Sequence, residues 1–186
     1  GVRVIQADGR FTERTTVAGG GVEIKARRVV IATGSQPLVP PIPGLSDVDY
    51  LTNETIFDLD QTPRHLIILG GGPIGIEMAQ AHRRLGSAVT VLEMATIMPK
   101  DDPVLVALLR SRLQAEGINL KEATTAAAVY RTVDGAVTVR VESAGQVQEL
   151  TGSHLLVAAG RRPNIDNLDL DTAGIAFDRG GISGDR

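Results

Sequence analysis

The 186-residue sequence has no cysteine, no tryptophan and only three histidines, and aromatic residues make up 3% of it. Without cysteine these residues can form no disulfide, thiolate metal site or cysteine nucleophile. His65, His82 and His154 are scattered, with no acid or second histidine at ligand spacing, which argues against a bound metal. The few aromatics give no platform for stacking bases, and a formal net charge of −3 gives no basic field for a phosphate backbone. The longest apolar stretch, Leu66 to Ile76, is broken by three glycines and Pro73. It falls well short of the roughly 20 residues that cross a bilayer. Ser35 and Ser87 lack the strand-to-helix elbow of a hydrolase nucleophile. Arg83-Arg84 and Arg161-Arg162 are short basic pairs of the kind found on solvated surfaces. The opening Gly1-Val2-Arg3-Val4-Ile5 resembles no leader, so the chain is expected to be an excerpt of a longer, cytoplasmic protein.

What is present is the composition of a soluble globular protein, 42% hydrophobic and 22% charged, with 21 glycines. The runs Val2–Ile5, Thr15–Val17, Val22–Ile24 and Val29–Ile31, separated by glycine-rich turns, predict a small antiparallel meander. Residues 36–44 hold four of the nine prolines and predict a stiff linker. Beyond it the period changes. His65–Leu69 and Ala88–Leu92 are apolar runs of strand length, and Pro73–Leu85 has helical spacing with Ile74, Met78, Ala81 and Leu85 on one face. Pro73 suits a first turn and Gly86 a helix end. A second helix is expected over Pro103–Glu116, capped by Asp101 or Asp102 and stopped by Gly117, before a short strand at Ile118–Leu120. Ala126–Thr132, Ala136–Glu142 and Gln146–Leu150 predict three antiparallel strands, with turns at Asp134-Gly135 and Ala144-Gly145, followed by a buried run Leu155–Ala159. The expected fold is α/β, a Rossmann-like parallel sheet with a three-stranded antiparallel β-meander as one crossover.

The strongest chemical signal is Gly70-Gly71-Gly72-Pro73-Ile74-Gly75, a G-x-G-x-x-G that follows a strand and opens a helix. Its first glycine permits a tight turn, its second lets a pyrophosphate approach the backbone, and its third lets helix and strand pack closely. The N–H groups of the helix's first turn, backed by about half a positive charge from the helix dipole, would face the phosphates. Glu93 closes the second strand 23 residues after Gly70, at the distance where an acid accepts hydrogen bonds from a ribose diol. A 2′-phosphate there would meet a carboxylate, and neither Met94 nor Ala95 is a cation, so NAD(H) is expected over NADP(H).

Four motifs in order cover almost the whole chain: Ile31-Ala32-Thr33-Gly34-Ser35 with Pro37, then Pro41-Ile42-Pro43-Gly44, then Gly70 to Ala79, and Ala159-Gly160-Arg161-Arg162-Pro163-Asn164. In these the sequence resembles the FAD-dependent pyridine nucleotide–disulfide oxidoreductases, and within that family most resembles the dihydrolipoamide dehydrogenases. The resemblance implies an NAD(H)-binding domain at about 60–160, inserted between the end of one FAD-domain segment at 1–59 and the start of another at 161–186. It implies that hydride passes between nicotinamide and FAD, with a disulfide such as lipoamide as partner substrate, in a homodimer when full length. The family's redox cysteines and its first FAD fingerprint lie outside these residues, so the excerpt alone is expected to be inactive, and no catalytic residue is assigned. By resemblance Ala126 and Gly160 line the adenine and nicotinamide ends of the groove, and Thr33, Gly34 and Ser35 approach FAD. Glu77 would lie beside the nicotinamide, or else be an exposed carboxylate favoured by the helix dipole. Gly184-Asp185 is read as a turn and not as the family's FAD-binding Gly-Asp, which follows a further apolar strand. Three other functions compete: a non-catalytic dinucleotide-binding module, a mercuric reductase or NADH oxidase of the same family, and an S-adenosylmethionine methyltransferase. The predicted β-meander and the motif returning at Ala159 disfavour the last.

Overall fold

The structure is a computed structural model in which residues 1–184 are described; Asp185, and with it the expected turn at Gly184-Asp185, lies outside them. The chain divides into two compact units, one made of residues 1–36 and 161–186 and the other of residues 37–160.

In the first unit, β1 (Arg10–Glu13), β2 (Thr16–Gly19) and β3 (Val22–Lys25) form an antiparallel meander. Phe11 of β1 is buried with Leu170 and Ala173. The expected meander is therefore present, but shifted. Val2–Ile5 and Val29–Ile31 lie in no strand, and Val2 and Val4 are almost fully exposed. Their β-branched side chains favour a pleated surface but cannot supply a partner edge. Arg10–Glu13, which has a single apolar residue, finds such an edge in β2. The short strand β4 (Ser35–Pro37) follows this meander.

The second unit holds β5 (His65–Leu69), α1 (Pro73–Arg84), β6 (Ala88–Leu92), α2 (Pro103–Ala115), β7 (Asn119–Lys121), β8 (Thr125–Arg131), β9 (Val137–Ser143), β10 (Gln146–Gly152) and β11 (His154–Val157). A parallel sheet runs in the order β11-β5-β6-β7, and the meander β8-β9-β10 forms a separate antiparallel sheet. Alternation along the parallel strands explains their continuous apolar runs. Leu66, Ile68, Val89, Val91 and Leu156 face α1 and α2, meeting Ile76, Ala79, Val106 and Leu113. Ile67, Leu69, Leu92, Leu155 and Val157 face the meander, meeting Val129, Val137, Val139 and Val141. Both faces are covered, so neither can be polar.

Two expectations are corrected here. The face that α1 buries is Gly75, Ile76 and Ala79, whereas Leu85 is 67% exposed and Ala81 is also exposed. Glycine and alanine carry little apolar weight in a periodicity count, yet their small size is what lets the helix approach the sheet. The proline-rich segment is no free linker: Pro43 O accepts from Val129 N–H at 2.9 Å, and Ile42, Leu45 and Val48 pack onto the meander-side core. Fixed proline backbone lowers the entropy cost of docking this segment. Leu51 then bridges β11, accepting from Val157 N–H and donating to Leu155 O, which covers that sheet edge.

The chain finishes in the first unit with β12 (Arg161–Pro163), which pairs with β4, and the small hairpin β13 (Phe177–Asp178) and β14 (Gly181–Ile182). No helix among the described residues is long and apolar enough to cross a membrane.

Candidate functional site

Strand order makes one end of the parallel sheet special. β5 continues through α1 to β6 on one side, while its other neighbour, β11, arrives much later in the chain. The loops after β5 and β11 leave the carboxyl edge in different directions, and ligands of open α/β sheets bind in the crevice at such a switch point. The loops there are Gly70–Gly72 and Ala158–Gly160.

The three motif glycines carry separable demands. Gly70 has a φ of +113°, and a Cβ on it would lie 2.4 Å from Ala158 O. A Cβ on Gly75 would lie 2.0 Å from Gly70 O, so the helix can dock on its own loop only without that atom. Gly72 is different. Its φ of −77° and ψ of −177° are open to any L-residue, and a Cβ built there meets nothing within 4 Å. Neither backbone conformation nor packing requires glycine at position 72, and the missing Cβ leaves the loop backbone open to close approach by a ligand.

Gly72 is also the N-cap of α1. No side chain caps this helix, and Pro73 has no N–H, so the first-turn N–H groups of Ile74 and Gly75 are left without a cap. The contrast with α2 is direct, because there Asp102 accepts from Val104 N–H at 2.8 Å and Leu105 N–H at 3.3 Å. One helix start is closed by its own chain and the other is open at the switch point. That opening suits a diphosphate.

Glu93 follows the end of β6 and is half-buried. Its Oε2 accepts from Gly71 N–H at 2.7 Å and its Oε1 from Ala95 N–H at 3.0 Å. The carboxylate thus braces the glycine loop, and each oxygen keeps a lone pair for an incoming hydroxyl. Gly71 is buried, and its carbonyl accepts from Met98 N–H at 2.9 Å. Donor-rich backbone beside an acceptor-only carboxylate fits the diphosphate and ribose diol of a dinucleotide.

The remaining candidates are distributed as follows. Pro73 is exposed and Ile74 half-buried at the first turn, and Glu77 is exposed one turn into α1. Ala126 sits in β8, two residues after Thr124, whose N–H donates to the Glu93 carbonyl at 2.9 Å. Gly160 has a φ of +128°, and its carbonyl accepts from Leu38 N–H at 2.9 Å. In the other unit, Thr33 Oγ1 donates to Asn164 O at 2.5 Å and Asn164 N–H donates to Gly34 O at 2.9 Å. There too, Arg161 Nε donates to Ser35 Oγ at 2.8 Å. These bonds shape the segment, and Thr33 lines a cleft of about 1240 Å³ within that unit. Among the described residues no group of His, Asp or Glu could hold a metal ion.

The periodicity of the sequence does not reveal Thr96, Arg110 and Glu122. Arg110 Nε donates to Glu122 Oε2 at 2.7 Å and Arg110 Nη2 to Thr96 Oγ1 at 2.9 Å, which joins the loop after β6 to the end of β7. Hydrogen bonds from Arg110, then from Thr96 Oγ1 and Ile97 N–H, hold the Glu122 carboxyl at a pKa of about 2. The adjacency of β6 and β7 brings Thr96 and Glu122 together, and α2 carries Arg110 to them.

Comparison with known proteins agrees with this geometry. The pyridine nucleotide-disulphide oxidoreductase family matches residues 1–186. A mercuric reductase of Streptomyces lividans is 39% identical over 169 residues, covering 91% of this chain and 35% of that protein. A mercuric reductase of Bacillus cereus is 36% identical over 177 residues, covering 94% and 28%. The HOCl-induced flavoprotein disulfide reductase RclA from Escherichia coli superimposes with a TM-score of 0.86 at 31% identity, over 98% of this chain and 42% of that one. The chain thus spans about a third of the length of the curated relatives it matches. With four motifs in order, a switch-point crevice and this likeness in hand, the chain belongs to the pyridine nucleotide-disulphide oxidoreductases, a family of flavoproteins that use FAD and a nicotinamide dinucleotide.

Proposed function

We propose that the unit of residues 37–160, which holds the domain expected at 60–160, is the NAD(H)-binding domain, and that residues 1–36 and 161–186 are FAD-domain segments, of an oxidoreductase that passes hydride between nicotinamide and FAD. The observation that carries this is Gly72: a glycine required by neither backbone nor packing, at the open start of α1 and beside the carboxylate of Glu93. Ile74 and Gly75 N–H groups donate to the diphosphate, Gly72 leaves it room, and Gly70, Gly71 and Pro73 set the loop's path. Glu93 accepts the ribose hydroxyls, Ala126 borders the adenine, and Gly160 and Glu77 flank the nicotinamide. Thr33, Gly34 and Ser35 form the FAD side of their own unit. The nicotinamide and flavin supply the hydride chemistry when bound, and the residues of this chain bind and orient them.

Glu93 sets the preference for NAD(H). A 2′-phosphate of roughly −1.5 to −2 charge at ~4 Å from that carboxylate costs a few kcal/mol at an effective dielectric of ~20. Beyond the flavin, the relatives named mercuric reductases favour mercuric ion over lipoamide as the terminal acceptor. The complete protein is proposed to be a homodimer, and the excerpt alone to be inactive because it has no cysteine.

Calorimetric titration of the purified protein with NADH and NADPH tests the binding assignment. NADH should bind more tightly, and Glu93→Arg should reverse the order. A Glu93→Arg protein with the parent's preference refutes it. A visible flavin spectrum in a longer form of the protein tests the FAD assignment, since a plain dinucleotide-binding module would be colourless.

A further inference from the structure

Glu93 and Gly71 are joined by more than their own hydrogen bond. The residues that follow Glu93 form a loop that returns to the glycine turn, where Ile97 is fully buried with its Cγ2 2.8 Å from the position of a Cβ on Gly71. Met98 N–H completes the return by donating to Gly71 O. The same loop is strapped from the opposite side. Glu93 N–H donates to Lys121 O, Thr124 N–H to Glu93 O and Ala123 N–H to Ala95 O, each at 2.9 Å. Met98 and Ala123 hold left-handed backbone, with φ of 49° and 47°, a conformation that an L-residue keeps only where its surroundings impose it.

Glu122, together with Arg110, ties the middle of this loop. Its Oε1 accepts from Thr96 Oγ1–H at 2.7 Å and from Ile97 N–H at 2.8 Å. Arg110 grips it with Nε on Oε2 at 2.7 Å and Nη2 on Oε1 at 2.9 Å. Both side chains are about three-quarters buried, so these charge-assisted bonds are only partly screened. The guanidinium fork also donates to Thr96 Oγ1, closing a ring of three hydrogen-bonded side chains to which Ile97 N–H is attached through Glu122. A carboxylate can accept all of these bonds, whereas an amide cannot, because it has a single acceptor oxygen.

We propose that Glu122, held by Arg110, is a positioning residue for the dinucleotide: it touches no ligand, but through Thr96 and Ile97 it sets the loop that aims the Glu93 carboxylate at the ribose. This rests on the ribose assignment of Glu93. Without the strap, the irregular segment at 94–98 gains backbone freedom, and binding must then order it again. The effect is confined to affinity for the adenosine end, so a turnover assay of the complete protein would show a raised KM for NADH at unchanged kcat.

The test is a double-mutant cycle on NADH affinity, measured by calorimetry on the parent protein, Glu122→Gln, Glu93→Gln and the double variant, with thermal unfolding confirming that each is folded. Glu122→Gln is expected to weaken NADH binding about tenfold, and the double variant to bind within about threefold of Glu93→Gln alone, because the two act through one contact. If Glu122→Gln fails to fold, Thr96→Val removes one of the straps and should weaken binding severalfold, again without adding to Glu93→Gln. Losses that add, or Glu122→Gln binding like the parent while Glu93→Gln is weakened, overturn the positioning role. A Glu93→Gln protein that binds NADH like the parent overturns the ribose assignment itself, and with it this inference.

Discussion

Replacing Gly72 by alanine separates a ligand's demand for glycine from the fold's. The backbone at this position is extended, and a Cβ meets no protein atom within 4 Å. Gly72→Ala therefore introduces no clash, and the roughly 0.4–1 kcal/mol gained by restricting the unfolded chain is offset by alanine's poorer fit than glycine to a helix N-cap. For a chain of this size Tm should then stay within about 2 °C of the parent's. In the proposed complex the same methyl group would occupy the space through which the diphosphate reaches the N–H groups of Ile74 and Gly75. Hydrogen bonds to a charged group contribute roughly 1.5–3 kcal/mol each. Losing two of them weakens NADH binding by about 10² to 10⁴. Calorimetry with NADH and a thermal melt on the same preparation give both quantities. Gly75→Ala is the control, because its Cβ would sit 2.0 Å from Gly70 O and must lower Tm sharply or prevent folding. Gly72→Ala protein that is stable and binds NADH within threefold of the parent would refute the placement of the diphosphate.

Acid should unfold the protein through two carboxylates. Glu116, held down chiefly by its hydrogen bond from Arg84, and Glu122, held down chiefly by that from Arg110, both have pKa values lowered from 4.5 to about 2. Groups depressed in this way contribute fully above pH ~4.5 and lose that contribution as pH falls toward 2, so urea midpoints should drop across that window. Glu122→Gln should flatten part of the drop. Ser87 Oγ is buried without a hydrogen-bond partner. Ser87→Ala should accordingly raise stability by about 1 kcal/mol in chemical denaturation, and a loss would show that the hydroxyl is satisfied. Asp102→Ala removes the cap of α2 and should cost about 1 kcal/mol, read as a lower Tm with unchanged NADH affinity.

Much of the second unit is legible in sequence because its signals are local. Apolar runs at His65–Leu69 and Ala88–Leu92, Pro73 and Pro103 at first helical turns, and glycine turns between the meander strands each act within a few residues. The glycine fingerprint and Glu93 are legible for the same reason, since only helix α1, one turn and strand β6 separate them. Less can be read where a partner decides. Val2–Ile5 has strand composition yet pairs with nothing, while Arg10–Glu13 has little and pairs with β2. The proline segment has linker composition yet packs as part of the core, through Ile42, Leu45 and Val48.

Periodicity, turn chemistry and the order of four motifs were thus enough to establish the α/β class, the glycine loop between the first strand and helix of the parallel sheet, and the acid that follows the next strand. The fold alone decided which loop glycine is free of backbone and packing demands, which face α1 buries, and that Glu122 and Arg110 tie down the loop that follows Glu93. Each of these is a distance between residues far apart in the chain, set by which strands become neighbours and how closely the layers pack, and no local pattern contains that information.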